Sequence, residues 1–339
     1  MKVKMVVMAL VMLLSLVVMS QQNGLPMTAF EKATEYGAKV RIVYVVEDDL
    51  GQPVPGARVH IWLGLESHKD GGMVYYDYTD NNGRYVLDGK TTGLVRYWFV
   101  KDGYYESEGE LRLEGIEDEQ NAVRDGKWQP YGRCKRIVLK RVRNPTARPF
   151  HYGDFPVPVF GKWMGFDLER FDLCPPYGKG VHKDVLLRYV FDRDPVMRGK
   201  VYASMEMSFT NNPYAGTYIL KKDKWSDFQS CYAADTNNAF SIKMFKYEIS
   251  RTREEIFKKE RFPEDSYIVF RTRTTVDRDG NLVSAHYGKI YGDWSYPRWI
   301  KFGGTLFNSN PNDPNLEDEE SGNRARMYIE GMRERGELK

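Results

Sequence analysis

The chain is poor in the residues that most often announce a metal or catalytic centre. Its 339 residues include five histidines and three cysteines. The histidines (His60, His68, His151, His182 and His286) are scattered, with no i,i+2 or i,i+4 pair. No zinc or metalloprotease pattern can be written from them, and neither a metal nor a cofactor is expected. A nucleophile elbow, a phosphate-binding glycine loop and a dinucleotide fingerprint are also missing. Charge of one sign is lacking too. The net charge is +3, and setting aside Lys2 and Lys4 leaves 48 basic against 47 acidic residues. That balance removes the electrostatic ground for a nucleic-acid partner. The basic groups at Lys135-Arg136 and Lys140-Arg141-Arg143 read as a solvated strand end and connection. Three cysteines are too few, and odd in number, for a disulfide scaffold. Cys174 and Cys231 are the first candidates for a bond. Three small buried thiols are the equal alternative.

Long apolar runs are absent after the N-terminus. Lys2 and Lys4 precede the run Met5 to Met19, which ends in Val18-Met19-Ser20. This reads as a secretory signal peptide over residues 1–20. The run is shorter than the roughly 20 apolar residues of a spanning helix, so cleavage is favoured over a retained anchor. The expectation is an exported chain, in the periplasm, at the cell surface or outside the cell, with no membrane span after cleavage.

What is present is alternation. Val40, Ile42, Tyr44 and Val46 recur at every second position, as do Ala57, Val59 and Ile61, with Arg58, His60 and Trp62 on the opposite face. That period is a strand's. Between these runs Asp48, Gly51, Pro53, Pro55 and Gly56 supply turn chemistry. Asp80-Asn81-Asn82-Gly83 is a tight turn between tyrosine-rich strands, with Gly83 free to take a positive φ. The order Asp48, Gly51, Pro53, Val54, Gly56, Ala57, then Thr79, Asp80, Gly83, Tyr85, then Lys101, Gly103, Tyr104 resembles the carboxypeptidase regulatory-like domain. That family is a transthyretin-like β-sandwich. The resemblance implies a module over residues 38–143 that performs no chemistry itself, with Gly51, Gly56, Gly83 and Gly103 as turn residues.

Residues 144–161, rich in Pro, Gly and aromatics, read as a linker lying against a second domain over residues 162–315. That domain is read as mostly β. Val185 to Phe191, Lys200 to Phe209, Ser266 to Val276, Leu282 to Tyr291 and Trp299 to Phe307 are its strands. Asp277-Arg278-Asp279-Gly280-Asn281 is a hairpin turn. One short helix is predicted over Ser250 to Lys259, with Ser250 as N-cap and Glu254 and Glu255 in its first turn. The segments Tyr177 to Gly180, Tyr287 to Trp294 and Asn310 to Glu317 resemble the second halves of exported bacterial proteins in which the same module precedes an all-β region. That resemblance implies no activity. Residues 316–339 are charged and apolar-poor, and are expected to form a flexible tail. The fold class is therefore all-β, a transthyretin-like sandwich followed by a second sandwich-like domain with one helix.

The aromatics are the remaining lead. Tyr291, Trp294, Tyr296 and Trp299 are interleaved with Gly292, Asp293, Ser295, Pro297 and Arg298, a mixture suited to a binding loop, with Trp294 as its platform. Ordinary core packing is the competing reading. Asp167 and Glu169 would share a strand face near Arg170, and Asp277 and Asp279 flank a turn, where aspartates normally serve the backbone. The sequence points away from an enzyme, towards an exported non-catalytic binding or structural protein of the cell envelope or surface. A polysaccharide, a peptide or another envelope protein would be its partner. The alternatives are a secreted glycan-active hydrolase with distant acid and base carboxylates, and a surface-fibre or adhesin subunit.

Overall fold

The computed structural model describes residues 26–65, 71–113, 119–145, 151–193, 201–209, 213–241, 244–251, 256–259, 265–291, 295–296 and 299–318. The proposed signal peptide lies outside them. The chain is all-β and divides into two units. Unit 1 comprises residues 1–101 and 107–139, and unit 2 comprises residues 102–106 and 140–339.

Unit 1 opens with helix α1 (Ala29–Tyr36). Thr28 caps it reciprocally: its hydroxyl accepts from the Glu31 amide, while the Glu31 carboxylate accepts from the Thr28 amide. Two sheets follow. In the first, β1 (Ala38–Asp48) pairs antiparallel with β4 (Arg84–Thr91) and parallel with β9 (Arg133–Leu139) and β8 (Lys127–Trp128), and β8 in turn pairs with β7 (Val123–Arg124). Val40, Ile42, Tyr44 and Val46 on β1 are all buried, as period-two alternation requires. The second sheet has the order β3-β2-β5-β6, with β2 Arg58–Gly64, β3 Gly72–Tyr78, β5 Leu94–Val100 and β6 Ser107–Arg112. Its inner face contributes Val59, Ile61, Leu63, Val95, Tyr97 and Phe99, all buried. Tyr44 packs on Tyr97 and Phe99 at 5.6 and 5.2 Å between ring centroids, so the two inner faces share one core.

The three motif elements join physically. The Asp48 carboxylate accepts from the Leu50 and Gln52 amides. The buried Thr79 hydroxyl donates to the Val54 carbonyl and accepts from the Ala57 amide. Lys101 reaches the Gly56 carbonyl. Gly51, Gly56, Gly83 and Gly103 all adopt positive φ. At Gly83 a Cβ would sit 2.4 Å from the Val46 carbonyl oxygen, so both conformation and space demand glycine. The turn it closes is not a hairpin, however. β3 and β4 lie in different sheets, and Asp80 to Gly83 carries the chain from one to the other.

Unit 2 is built on two further sheets. One has the order β12-β11-β13-β14-β16-β17: β11 Trp163–Asp167, β12 Asp172–Leu173, β13 Val185–Arg193, β14 Val201–Phe209, β16 Met244–Arg251 and β17 Ile256–Lys259. The other has the order β10-β21-β19-β18-β15: β10 His151–Pro156, β15 Gly216–Lys221, β18 Ser266–Val276, β19 Leu282–Tyr291 and β21 Trp299–Asn308. A core of Phe166, Leu187, Met205, Met207, Phe209, Ile268, Phe270, Ile290 and Phe307 lies between them. A second core, with Tyr218, Phe240, Tyr267, Val269, Ala285, Tyr287 and Leu316, covers the far face of the second sheet. That sheet is buried on both sides, which is why β18 is buried from Ser266 through Thr272.

Four expectations are corrected. The helix over Ser250 to Lys259 does not form. β16 and β17 pair antiparallel there, from Glu248↔Lys259 to Arg251↔Ile256, because tertiary pairing overrides the local capping signal. Residues 151–156, read as part of a linker, are β10, paired with β21. The tail does not begin at residue 316, since Leu316, Glu317 and Asp318 are fully buried. All three cysteines are free. Cys174 and Cys231 are not bonded; their thiols donate to the carbonyls of His182 and Ala233 instead.

Candidate functional site

Three constellations bring chemistry-bearing side chains together. The first is the outer face of the four-stranded sheet of unit 1. Antiparallel register places Tyr76, His60, Trp98 and Glu108 in one row across β3, β2, β5 and β6. The rings stand as fins. His60 stacks on Tyr76 and on Trp98, each at 4.7 Å, and the Trp98 indole donates to the Glu108 carboxylate at 2.8 Å. The next row is Val74, Trp62, Arg96 and Glu110. Here Trp62 lies close over Gly72, where a Cβ would meet its Nε1 at 2.3 Å, and the Arg96 guanidinium covers the indole at 5.3 Å. Arg96 also pairs with Glu110. These cross-strand pairs stabilise the sheet by roughly 0.2–1 kcal/mol each.

The stack is open at one end. Among the described strands, β3 is the edge of the sheet. Along it Val74, Tyr76 and Tyr78 are 46%, 58% and 45% exposed. The Tyr76 ring has His60 on its β2 side and the Arg58 guanidinium at 5.3 Å. Sequence alternation had placed Arg58, His60 and Trp62 on one face. It could not say which face of a strand apolar on both sides is the outer one.

The second constellation is an arginine held by three carboxylates in unit 2. A β-bulge between Thr272 and Thr275 breaks the β18–β19 register, and Arg273 sits there with φ 48°. The bulge turns Thr272 and Arg273 to the same side, so both reach Asp184. Arg273 donates to Asp184 through Nε and Nη2, to Asp167 through Nη2 at 3.1 Å, and to Glu169 through Nη1. Its guanidinium lies 4.5 Å over Phe307. Asp167 additionally accepts four backbone amides, from Glu169, Arg170, Val181 and His182. Burial raises its pKa, but those amides and Arg273 outweigh burial and hold it below the ordinary value. Every carboxylate here is committed to the fold.

The third is the buried lysine of β19. Lys289 follows the alternation that puts Ile290 in the first core, so its ammonium enters the second. It donates to Asp318 at 2.8 Å, Ser230 at 2.8 Å and the Tyr291 hydroxyl at 3.3 Å, and lies 4.8 Å over Phe228. Lys289 and Asp318 side chains are both 0% exposed. Burial lowers the Lys289 pKa, against the opposing pull of Asp318.

The aromatic loop expected to bind does not come together as a described site. Tyr291 is half-buried beside Lys289 and packs on Tyr267 at 5.6 Å, so it belongs to the interior network. Trp294 lies outside the described residues. Tyr296 and Trp299 are placed only through their backbones, in a short strand, β20 (Ser295–Tyr296), and in β21. Asp277, in its hairpin turn, gives its carboxylate to the Asp279 and Asn281 amides and to the Asn281 side chain, as turn aspartates do. Among the described residues no group of three or more His, Cys, Asp or Glu side chains is placed to hold a metal ion. No helix among them is long and apolar enough to cross a membrane.

No protein-family model matches the chain, and no curated protein matches it. Solved structures do. One is 3-chlorocatechol 1,2-dioxygenase from Rhodococcus opacus 1CP, at 18% identity and TM-score 0.26, covering 32% of this chain and 62% of that one. Another is Acinetobacter radioresistens catechol 1,2-dioxygenase, at 18% and 0.26, covering 35% and 58%. A third is hydroxyquinol 1,2-dioxygenase from Pseudomonas putida DLL-E4, at 16% and 0.24, covering 31% and 57%. The chain thus spans less than two thirds of each. At these scores the likeness carries no activity to this chain. It does correct one expectation: the structures matched are enzymes, where a non-catalytic binding or structural protein of the envelope had been anticipated.

Proposed function

We propose that the working surface of this chain is the outer face of the unit 1 sheet, and that it captures a ligand bearing a flat aromatic ring. The observation that carries this reading is the open end of the Tyr76–His60–Trp98 stack, with Tyr76 58% exposed. A ring left in water beside Val74 and Tyr78 forms a contiguous apolar patch, the kind that marks interaction sites. A further flat ring would extend the stack by one member, in the offset geometry that aromatic pairs favour. Arg58 beside the Tyr76 ring adds a cation at the same end. The carboxypeptidase regulatory-like reading of unit 1 is part of this proposal. The linked use of Asp48, Thr79 and Lys101 in its turns supports it. Export is supported by Lys2, Lys4 and the apolar run after them.

The test is a titration of the full chain with benzoate and indole, and with cyclohexanecarboxylate as the non-aromatic control. Stacking contributes about 0.5–1.5 kcal/mol beyond area burial, so the aryl ligands should bind several-fold tighter than the control. Tyr76→Ala should remove that preference and Tyr76→Phe should keep it, both with a cooperative thermal melt, the alanine variant losing at most about 1 kcal/mol from the lost cross-strand stack. Equal binding of aryl and cyclohexyl ligands, or a preference that survives Tyr76→Ala, refutes the reading.

A further inference from the structure

We propose that Leu316–Asp318 is an acid clasp that closes unit 2. The structure threads this segment, which follows the last strand, into the interior. Leu316, Glu317 and Asp318 are all essentially inaccessible. Each does a separate job. Leu316 fills the second core and donates its amide to the Tyr232 carbonyl at 2.7 Å. Glu317 accepts from the Tyr105 hydroxyl at 2.8 Å, the Arg143 amide at 2.8 Å and the Asn144 amide at 2.6 Å. Asp318 supplies the carboxylate that faces the Lys289 ammonium.

The clasp therefore gathers segments distant in sequence: residues 102–106, residues 140–144, the 228–232 loop and strand β19. Tyr105 is itself stacked on Phe228 at 4.9 Å, and the Lys289 ammonium lies over the Phe228 ring. The approach to the clasp is fixed by asparagine side chains standing in for backbone partners. Asn308 donates to the carbonyls of Asp313 and Asn315, Asn312 bonds Ala285 and Val283, and Asn315 donates to the Asn144 carbonyl. Asp318 carries the most weight within the clasp. A buried ammonium left without its carboxylate is far more costly than the pair is beneficial. Closure of the segment thus decides whether Lys289 can stay inside.

A mutant cycle on the full chain tests this, read by the rate of proteolytic cleavage within residues 309–315. Asp318→Asn should accelerate cleavage at least a hundredfold. Lys289→Met should do likewise by removing the ammonium that faces the Asp318 carboxylate. Lys289→Met with Asp318→Val should return cleavage to within a fewfold of the parent, because well-packed apolar partners replace a buried pair at little cost. Unchanged cleavage in Asp318→Asn, or a double variant as labile as the singles, overturns the proposal. If the single variants fail to fold, native-state hydrogen exchange of the parent decides. The Leu316 amide should exchange as slowly as that of Ile290. Exchange a hundredfold faster at Leu316 would make the segment a peripheral tail and defeat the clasp.

Discussion

The two units handle charge in opposite ways. In unit 1 several ion pairs sit on the surface: Arg41 with Asp88, and Arg96 and Arg112 with Glu110, all with substantially exposed side chains. In unit 2 Lys289 and Asp318 are 0% exposed, and Asp167 and Asp184 are nearly so. The cause is layering. Each unit 1 sheet has one face on a shared core, so alternation sends polar groups such as Arg96 and Glu110 to water. The central unit 2 sheet has a core on both faces, so alternation sends Lys289 into a second interior. The lesson is that an identical strand pattern gives a surface charge in one unit and a buried, committed charge in the other.

The contrast breaks most visibly at Arg273. Arg273→Ala strands Asp167 and Asp184 without their cation, and should cost unit 2 about 3–5 kcal/mol. Arg96→Ala, its surface counterpart, should cost under about 1 kcal/mol. Urea denaturation of both variants checks the pair, and equal losses would dissolve the distinction.

A smaller effect is expected at the turns of unit 1. Gly83→Val meets the Val46 carbonyl and also a positive φ, and should destabilise by about 3 kcal/mol. Gly51→Ala meets no atom within 4 Å and should cost only the left-handed penalty, about 1–2 kcal/mol. Comparing the two denaturation midpoints separates space from conformation.

Acid sharpens the comparison further. Asp167 has a folded pKa below its unfolded value of about 3.9. Its contribution is therefore present above about pH 4 and is lost as pH falls through the folded value. Asp167→Asn should flatten the acid limb of unit 2 stability below about pH 4, measured as the urea midpoint against pH. An acid limb of parental slope would count against this assignment.

The smallest effect is expected at Tyr44, whose hydroxyl is buried with no hydrogen-bond partner among the described residues, and whose pKa burial drives upward. Tyr44→Phe removes an unsatisfied polar atom and should leave unit 1 equally stable or up to about 1 kcal/mol more stable. A loss above that size would reveal a partner for the hydroxyl.

Much of this was legible in the sequence. The period-two runs at Val40 to Val46 and Ala57 to Ile61 marked strands, and Asp48, Gly83 and Asp277 marked turns, because strand alternation and turn chemistry are local. The rest was set by distant partners. Ser250 and Glu254 spell a helix start, yet pairing with β14 makes residues 244–251 a strand. Leu316 to Asp318 read as the start of a charged tail, because nothing near them reveals that Lys289 needs a carboxylate. The Tyr76–His60–Trp98 row draws on three strands, and only their register assembles it.

Nitration of tyrosines in the folded chain, mapped by peptide mass spectrometry, tests the central claim most directly. That claim is an exposed Tyr76 at the β3 edge of the outer face in unit 1, above a sealed inner face. Tyr76 and Tyr78 should react along with the exposed Tyr36 and Tyr214, while the fully buried Tyr44, Tyr97, Tyr105 and Tyr267 stay unmodified. Tyr76 as protected as Tyr97 would contradict the open stack and the ligand face built on it.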